Sequence, residues 1–264
     1  MRRIIAAGAL LVTGACASVP AVAPEAVRGV PGFDTRDYPG DAALRTWFAA
    51  SPYRWVGYYL AAPCHTGTTW TGRRAPLRDM GWGFGVLFVG EQDWAPGAGA
   101  ADTTRAAAGE PRCTRTNLTA ERGTADAAAA AGAAAAEGFP PGTVIFLDVE
   151  RVENVSPGLA AYVRAWAGGL LDGGRYVPGL YSHDTNAEEL ITVLTEEFLR
   201  RQRVEQPRLW VARQAGFDID SAPTGSGHPA AVWQGVFDRL EAWGGMVLPI
   251  DVNVADSPDP SRGR

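Results

Sequence analysis

The sequence predicts an α/β protein whose main domain, residues 31–256, is a single (β/α)8 barrel of the TIM type. Short apolar runs rich in β-branched and aromatic residues alternate with helix-like segments, which is the pattern of a parallel sheet. About eight such runs lie within roughly 220 residues, a length that suits one closed barrel. A doubly wound open sheet is the alternative, but no G-x-G-x-x-G motif follows the first strand.

The composition is that of a globular protein, with 46% hydrophobic and 20% charged residues. The basic residues number 24, all of them Arg, against 29 acidic ones, for a net charge of -5. This acidic balance argues against a nucleic-acid partner. No segment reaches the ~20 continuous apolar residues of a membrane-spanning helix.

The strand candidates are apolar runs bounded by Gly or Pro. They are Val30 to Asp34, Trp55 to Leu60, Phe84 to Val89, Thr143 to Val149, Tyr176 to Ser182, Leu209 to Ala212, Ala231 to Gln234 and Val247 to Asp251.

Helices are predicted between these strands. The four segments are Ala42 to Ala50 with Asp41 as its cap, the Ala-rich run Ala125 to Glu137, Gly158 to Leu171 and Asn186 to Arg203. Ser156 and Pro157 have the N-cap and first-turn chemistry that opens the third helix. The polar, Gly-rich stretch 91–123 is too long for a routine connection and is predicted to be a functional loop.

The first residues have the pattern of an export signal, predicted over residues 1–16. Met1-Arg2-Arg3 forms a basic start, and Ile4 to Val12 forms an apolar run too short to span a bilayer. Ala15-Cys16-Ala17 is an A-x-A-like cleavage site; alternatively, Val12 to Cys16 is a relaxed lipobox in which Cys16 is lipidated and anchors the protein to the membrane. Residues 17–30 are predicted to be a flexible tether, and residues 257–264 a disordered tail.

The chain has three cysteines, an odd number for an exported protein. Lipidation of Cys16 would leave Cys64 and Cys113 as a pair, and export permits a disulfide between them. Their Cα separation should then fall within roughly 4.4–6.8 Å. The alternative is two buried free thiols.

Several predicted strands end in acidic residues. In a β/α barrel the functional residues lie at the carboxyl ends of the strands. Asp34 ends the first strand, Asp148 and Glu150 end the fourth, and Asp251 ends the last. Alternation places Asp148 and Glu150 on one strand face. Because the first and last strands are neighbours in a closed barrel, the four carboxyl groups are expected to converge. The alternative is that single acids cap helices or contact Arg.

Convergent carboxylates repel each other, so at least one pKa is raised. A carboxylic acid with a raised pKa can donate a proton while another carboxylate stays ionised, which is the division of labour in glycosidic cleavage. These four residues are therefore the catalytic candidates.

Other side chains at strand ends are candidate substrate contacts. Tyr181, Trp210 and Trp233 offer flat faces for sugar stacking, Gln234 a hydrogen bond to a hydroxyl, and His183 a position at the pocket wall. Core packing is the alternative for each aromatic residue. The three histidines lack metal-ligand spacing, and neither a metal nor a cofactor is expected.

The chain resembles a glycoside hydrolase-like domain family of exported actinobacterial proteins, which is itself similar to lysozyme-like muramidases with a β/α barrel. The matching stretches are Gly32-Phe33-Asp34, Trp55-Val56-Gly57-Tyr58-Tyr59-Leu60, Gly142 to Glu150, Gly179-Leu180-Tyr181-Ser182, Leu209-Trp210-Val211-Ala212, Val232-Trp233-Gln234 and Asp251-Val252-Asn253. The resemblance implies that Glu150 is the proton donor and that Asp148, Asp34 and Asp251 match the other acidic positions. Thr35-Arg36 departs from the muramidase pattern.

Together these observations predict an exported glycoside hydrolase that acts on a cell-envelope polysaccharide such as peptidoglycan. A catalytically silent barrel that binds envelope glycan or serves in envelope assembly is the second hypothesis, because a fold does not dictate a function. A metal-dependent phosphodiesterase of the envelope is the third.

Overall fold

The structure is a computed structural model that describes residues 29–65, 67, 69–94, 113–224 and 229–262. The predicted signal segment, Cys16 and the tether up to residue 28 lie outside the described residues, as does His228. Among the helices that are described, none has the length and apolar character needed to cross a membrane.

Eight strands close into one barrel in chain order, which confirms the predicted fold class. The strands are β1 Val30–Asp34, β2 Trp55–Tyr59, β3 Gly83–Val89, β4 Val144–Val149, β5 Val177–His183, β6 Arg208–Ala212, β7 Val232–Trp243 and β8 Met246–Ala255. Neighbours from β1 to β7 pair in parallel, whereas β8 is antiparallel to both β7 and β1.

Each of the first five strands is followed by an α-helix. The helices are α1 Asp41–Ala50, α2 Arg74–Met80, α3 Ala120–Ala136, α4 Pro157–Gly173 and α5 Asp184–Arg200. The described residues between β6 and β7 contain no helix, and β7 leads directly into β8. In the part of the chain that the structure describes, the barrel thus departs from regular alternation in its last three strands.

The helix starts follow local capping chemistry. Ser156 caps α4 as predicted, since its Oγ accepts a hydrogen bond of 3.1 Å from the Leu159 amide. Thr119 caps α3 in the same way, so this helix begins five residues before the predicted start. Asp41 was expected to be the cap of α1, but Gly40 occupies that position and Asp41 lies in the first turn.

The last strand was expected to run parallel to its neighbours and to end at Asp251; both expectations were wrong. Trp243 pairs with Met246 across a two-residue turn in which Gly244 and Gly245 both have positive φ. Such a turn makes an antiparallel hairpin, whereas a parallel connection needs a dozen or more residues. The hairpin tip lies against α1, where the Trp47 indole donates a 3.1 Å hydrogen bond to the Met246 carbonyl.

Two apolar layers stabilise the barrel, one between the sheet and the helices and one inside the barrel. Inside, Trp210 packs edge-on against Trp55 and Phe146, with ring centroids 5.3 and 5.6 Å away. A Cβ on Gly85 would lie 2.6 Å from the Trp210 ring. A glycine at that position therefore leaves the space that the indole fills.

The end of the chain was expected to be a disordered tail from residue 257, but residues 257–262 are packed at the end of the barrel where β3 and β4 begin. Ser261 accepts a 2.7 Å hydrogen bond from the Val86 amide through its Oγ and another of 2.7 Å from the Val144 amide through its carbonyl. It also donates to the Phe84 carbonyl. The segment thus pairs strand groups that the β3–β4 ladder, which starts at Val86, leaves open.

Cys64 and Cys113 form a disulfide with a Cα separation of 5.8 Å, which confirms the predicted pairing. It joins the connection after β2 to the connection after β3.

Candidate active site

The four predicted carboxylates line one cavity of about 550 Å³ at the carboxyl ends of the parallel strands. Asp34 ends β1, while Asp148 is within β4 and Glu150 follows it directly. Asp251 lies in the middle of β8 and not at its end. It still reaches the same mouth, because in the antiparallel pairing of β1 and β8 Asp251 is the register partner of Asp34.

Asp34 is the most enclosed carboxylate of the cavity, with 3% of its surface exposed. Burial, and then the negative charges of Asp251 and Asp148, raise its pKa well above the ordinary value. Hydrogen bonds from Asn253, at 3.5 Å, and from Tyr59 oppose that rise without cancelling it. Asp34 therefore favours its protonated form more strongly than an exposed Asp does.

Asp251 is held through both of its carboxylate oxygens. The Gln234 side-chain amide donates to Oδ2 and the Asp238 backbone amide donates to Oδ1, each at 2.7 Å. Asp238 has a φ of 51°, and it lies where the β7–β8 register shifts. Burial is the main cause that raises the pKa of Asp251 to about 6, against the lowering effect of the Asp238 hydrogen bond.

Of the three tyrosines that line the cavity, Tyr59 and Tyr181 lie close to the carboxylates. Burial, and then the charges of Asp148 and Glu150, raise the pKa of Tyr181 well above its ordinary value, so its hydroxyl keeps its proton. Burial and the charge of Asp34 do the same for Tyr59. Both hydroxyls can therefore donate hydrogen bonds within the cavity.

Among the predicted substrate contacts, Tyr181 and Gln234 line the cavity, but Trp210, Trp233 and His183 are not among its described lining residues. Trp210 is fully buried inside the barrel, and its indole donates to Asn253 Oδ1 at 3.0 Å. Trp233 points to the outer layer, where it contacts Phe217 and the Arg213 guanidinium. Core packing thus accounts for both tryptophans.

His183 is the last residue of β5, but its ring turns toward the helix that follows. Its Nδ1 caps α5 by accepting from the Thr185 amide at 3.3 Å, and the ring lies 2.9 Å from an Asp184 oxygen. The expected position at the pocket wall was wrong, because the strand runs directly into the helix that this side chain caps.

Several lining residues were missed by the sequence analysis. Among them are Arg36, Asp37, Tyr59, His65 and Asp238. Arg36 and Asp37 follow the strand that ends at Asp34, and Tyr59 lies within a matching stretch, so these positions offered a signal. His65 lies in the connection after β2, outside the matching stretches. No sequence signal indicated Asp238, because the position of this residue depends on the irregular pairing of β7 with β8.

The described residues contain one compact group of His, Cys, Asp and Glu side chains that resembles a metal site, Cys64, Glu91 and Cys113. Both sulfurs are bonded to each other, so they are not free ligands. The four cavity carboxylates do not form such a group among the residues that the structure describes.

Comparison with known proteins identifies the family. A sequence model described as "Rv2525c-like, glycoside hydrolase-like domain" matches residues 45–255. No curated protein sequence matches the chain.

Solved structures share the fold at low sequence identity. The Tat-secreted protein Rv2525c of Mycobacterium tuberculosis, in complex with L-tartrate, is 17% identical with a TM-score of 0.51, over 85% of this chain and 94% of that one. The spore cortex lytic enzyme SleM of Clostridium perfringens is 14% identical with a TM-score of 0.53, over 87% and 68%. The glycosyl hydrolase 25 GHIP of Streptococcus pneumoniae is 12% identical with a TM-score of 0.55, over 85% and 86%.

Proposed function

The chain belongs to the Rv2525c-like, glycoside hydrolase-like domain family, and we propose that it hydrolyses glycosidic bonds in a cell-envelope polysaccharide, peptidoglycan or a related glycan. The observation that carries this proposal is the convergence of four carboxyl groups, two of them with raised pKa values, in one cavity. Glycosidic cleavage needs such a mixture of protonated and ionised carboxyl groups.

The four carboxyl groups divide three proposed roles among them. Glu150 donates the proton to the leaving oxygen, the role that the resemblance to the muramidases implies for this residue. Asp148 stabilises the positive charge that develops on the sugar ring. Asp34 and Asp251 position the substrate or the attacking water, and the two hydrogen bonds to Asp251 hold its carboxylate in one orientation for that task.

The substrate class is supported by the cavity and by the structural neighbours. The neighbours include a spore cortex lytic enzyme and a glycosyl hydrolase 25. Tyr181, Tyr59 and Gln234 supply polar groups at the wall that can bond sugar hydroxyls. Because the cavity is lined by six Asp and Glu residues and one Arg among the described residues, its field favours a substrate that gains positive charge in the transition state.

The test is hydrolysis of purified cell-wall glycan by the wild type and by carboxyl variants. Glu150→Gln should lower kcat by about 10²–10⁴-fold, the usual contribution of general acid catalysis. Asp148→Asn should also be severe, and the double variant should lose far less than the product of the two, because the pair acts as a unit. Glu153→Gln, on an exposed acid after β4, is the matched control and should keep full activity.

Three outcomes would overturn the proposal or parts of it. Unchanged activity in Glu150→Gln would exclude Glu150 as the proton donor. A wild type that binds glycan without ever cleaving it would favour the silent barrel. Cleavage of phosphodiester bonds in an envelope polymer that a metal chelator abolishes and a divalent cation restores would favour the phosphodiesterase.

We also propose that the protein is exported and held at the membrane by lipidation of Cys16. The family relative Rv2525c is described as Tat-secreted, which supports export. Cys16→Ser should move the protein from the membrane fraction to the soluble fraction. An unchanged distribution would exclude the lipid anchor.

A further inference from the structure

Gln92, three residues after β3, is fully buried and makes three hydrogen bonds through its side-chain amide. Its Nε2 donates to the Asp148 carbonyl and to the Gly90 carbonyl, both at 2.9 Å. Its Oε1 accepts from the Glu150 amide at 3.0 Å. Both main-chain groups that flank Val149 are therefore bonded to one side chain.

This geometry imitates a peptide group of a parallel strand. The ladder between β3 and β4 ends at the pair Val89 and Asp148. Beyond that pair, the Asp148 carbonyl and the Glu150 amide face the β3 side of β4, where the ladder provides no further partner. A primary amide has one acceptor and one donor side, so the Gln92 side chain continues the ladder by one step.

The chain around Gln92 is itself fixed from the helix side. The Glu91 backbone amide donates to the Tyr162 hydroxyl at 3.1 Å. The Glu91 carboxylate accepts from Asn117 at 3.1 Å and lies 3.0 Å from the Arg122 guanidinium. The segment that carries Gln92 is therefore anchored to α3 and α4. The Gln92 side chain with its three hydrogen bonds is called the clamp below.

We propose that Gln92 is a positioning residue that sets the direction of the Glu150 carboxyl group. Glu150 lies one residue beyond the last residue of β4, where no neighbouring strand holds its backbone on the β3 side. The amide of Gln92 restricts that backbone, so the carboxyl group enters the cavity in one orientation beside Asp148. The catalytic part of this proposal rests on the proposed hydrolysis.

The test replaces the amide by an apolar group of similar length. Gln92→Met should lower kcat about 10- to 100-fold, because a displacement of about 1 Å in a catalytic group can cost 10²-fold. KM should change far less, since the walls that bind substrate are intact. Gln206→Met, which makes the same replacement at an exposed glutamine before β6, is the control.

A double-mutant cycle separates positioning from general loss of structure. In the Glu150→Gln background, Gln92→Met should have almost no further effect on the residual rate, because its effect passes through Glu150. An equal loss in both backgrounds would overturn the proposal. Full activity of the single variant would do the same.

Amide hydrogen exchange tests the clamp without reference to activity. The Glu150 amide should be protected in the wild type and should exchange faster in Gln92→Met, because its acceptor is gone. If the wild type is inactive on every glycan but this exchange difference is found, the proposed hydrolysis fails and the clamp stands. Equal exchange in both proteins would overturn the clamp itself.

Discussion

At the residue scale, a glycine determines where one carboxyl group of the cavity can lie. A Cβ on Gly57, in β2, would be 2.4 Å from the Cβ of Asp34, which is closer than real Cβ atoms approach. The absence of a side chain at position 57 is therefore a condition for the position of Asp34. Gly57 therefore helps to shape the candidate active site although it contributes no functional group.

Gly57→Ala should displace Asp34 and destabilise the fold by about 1–3 kcal/mol, the usual cost of an extra methyl group in a packed site. Glycan hydrolysis should fall with it. Thermal unfolding and activity are the measurements. Gly132→Ala is the control with the opposite sign, because its Cβ meets open space on α3 and alanine favours the helix by about 1 kcal/mol.

The raised pKa values of Asp34 and Asp251 also make stability depend on pH. A carboxyl group whose pKa is higher in the folded than in the unfolded protein binds more protons when folded. Its contribution to the free energy of unfolding is fully present at pH values below the pKa of the group in the unfolded protein. That contribution is lost as the pH rises through the pKa of the group in the folded protein. For Asp251 that loss falls between about pH 4 and about pH 6.

We expect the free energy of unfolding to decrease across that interval by about 2–3 kcal/mol from Asp251, because one pKa unit corresponds to about 1.4 kcal/mol. Asp34→Asn should be more stable than the wild type at pH 7 and show no such advantage at pH 4. Denaturant unfolding at several pH values measures both. A wild type as stable at pH 7 as at pH 4, with no gain in Asp34→Asn, would contradict the prediction.

At the element scale, the connections after β2 and β3 are tied together beside the cavity. Cys64 lines the cavity, and its disulfide partner Cys113 begins the described segment that leads into α3. The bond spans a sequence separation of 49 residues. It therefore ties the connection that borders the cavity to the connection after β3.

Removal of this disulfide by the double change Cys64→Ser and Cys113→Ser should lower stability by about 2–4 kcal/mol. The disulfide stabilises the protein mainly because it restricts the unfolded chain. The strands of the barrel should therefore still form without it. The melting temperature and far-ultraviolet circular dichroism check this. An unchanged melting temperature under reducing and oxidising conditions would contradict it.

At the scale of the whole molecule, the two ends of the barrel have different tasks. The cavity occupies the carboxyl ends of the strands, and the C-terminal segment covers the other end, where β3 and β4 begin. A Cβ on Gly83 would lie 1.7 Å from the Pro258 carbonyl oxygen, so this segment is in close contact with β3. The candidate active site thus lies at one end of the barrel, and the C-terminal segment closes the other end.

Deletion of residues 257–264 should destabilise the protein by about 2–5 kcal/mol, because it removes the partners of the Val86 and Val144 amides, and each buried unpaired group costs about 1–3 kcal/mol. Deletion of residues 263–264 alone is the control and should be neutral. Chemical denaturation compares the two. If both deletions have the same effect, the closing role of the segment is wrong.

Much of the fold followed from local patterns. The first six strands were predicted within one or two residues at each end, because their apolar runs are bounded by turn residues. The hairpin of β7 and β8 was missed although Gly244-Gly245 between two alternating runs is its usual signal. α2 was missed because it is a short helix with Pro76 inside it.

The sequence by itself determined the barrel class, the disulfide pair and the set of four acidic residues that line one cavity. These depend on periodicity, on cysteine count and on strand ends, all of which are local or additive properties. Only the tertiary structure decided that β8 is antiparallel, that Trp210 fills the barrel interior, that residues 257–262 close it, and that Gln92 holds the backbone of Glu150. Those features depend on which distant groups share space and hydrogen bonds, and a one-dimensional pattern does not contain that information.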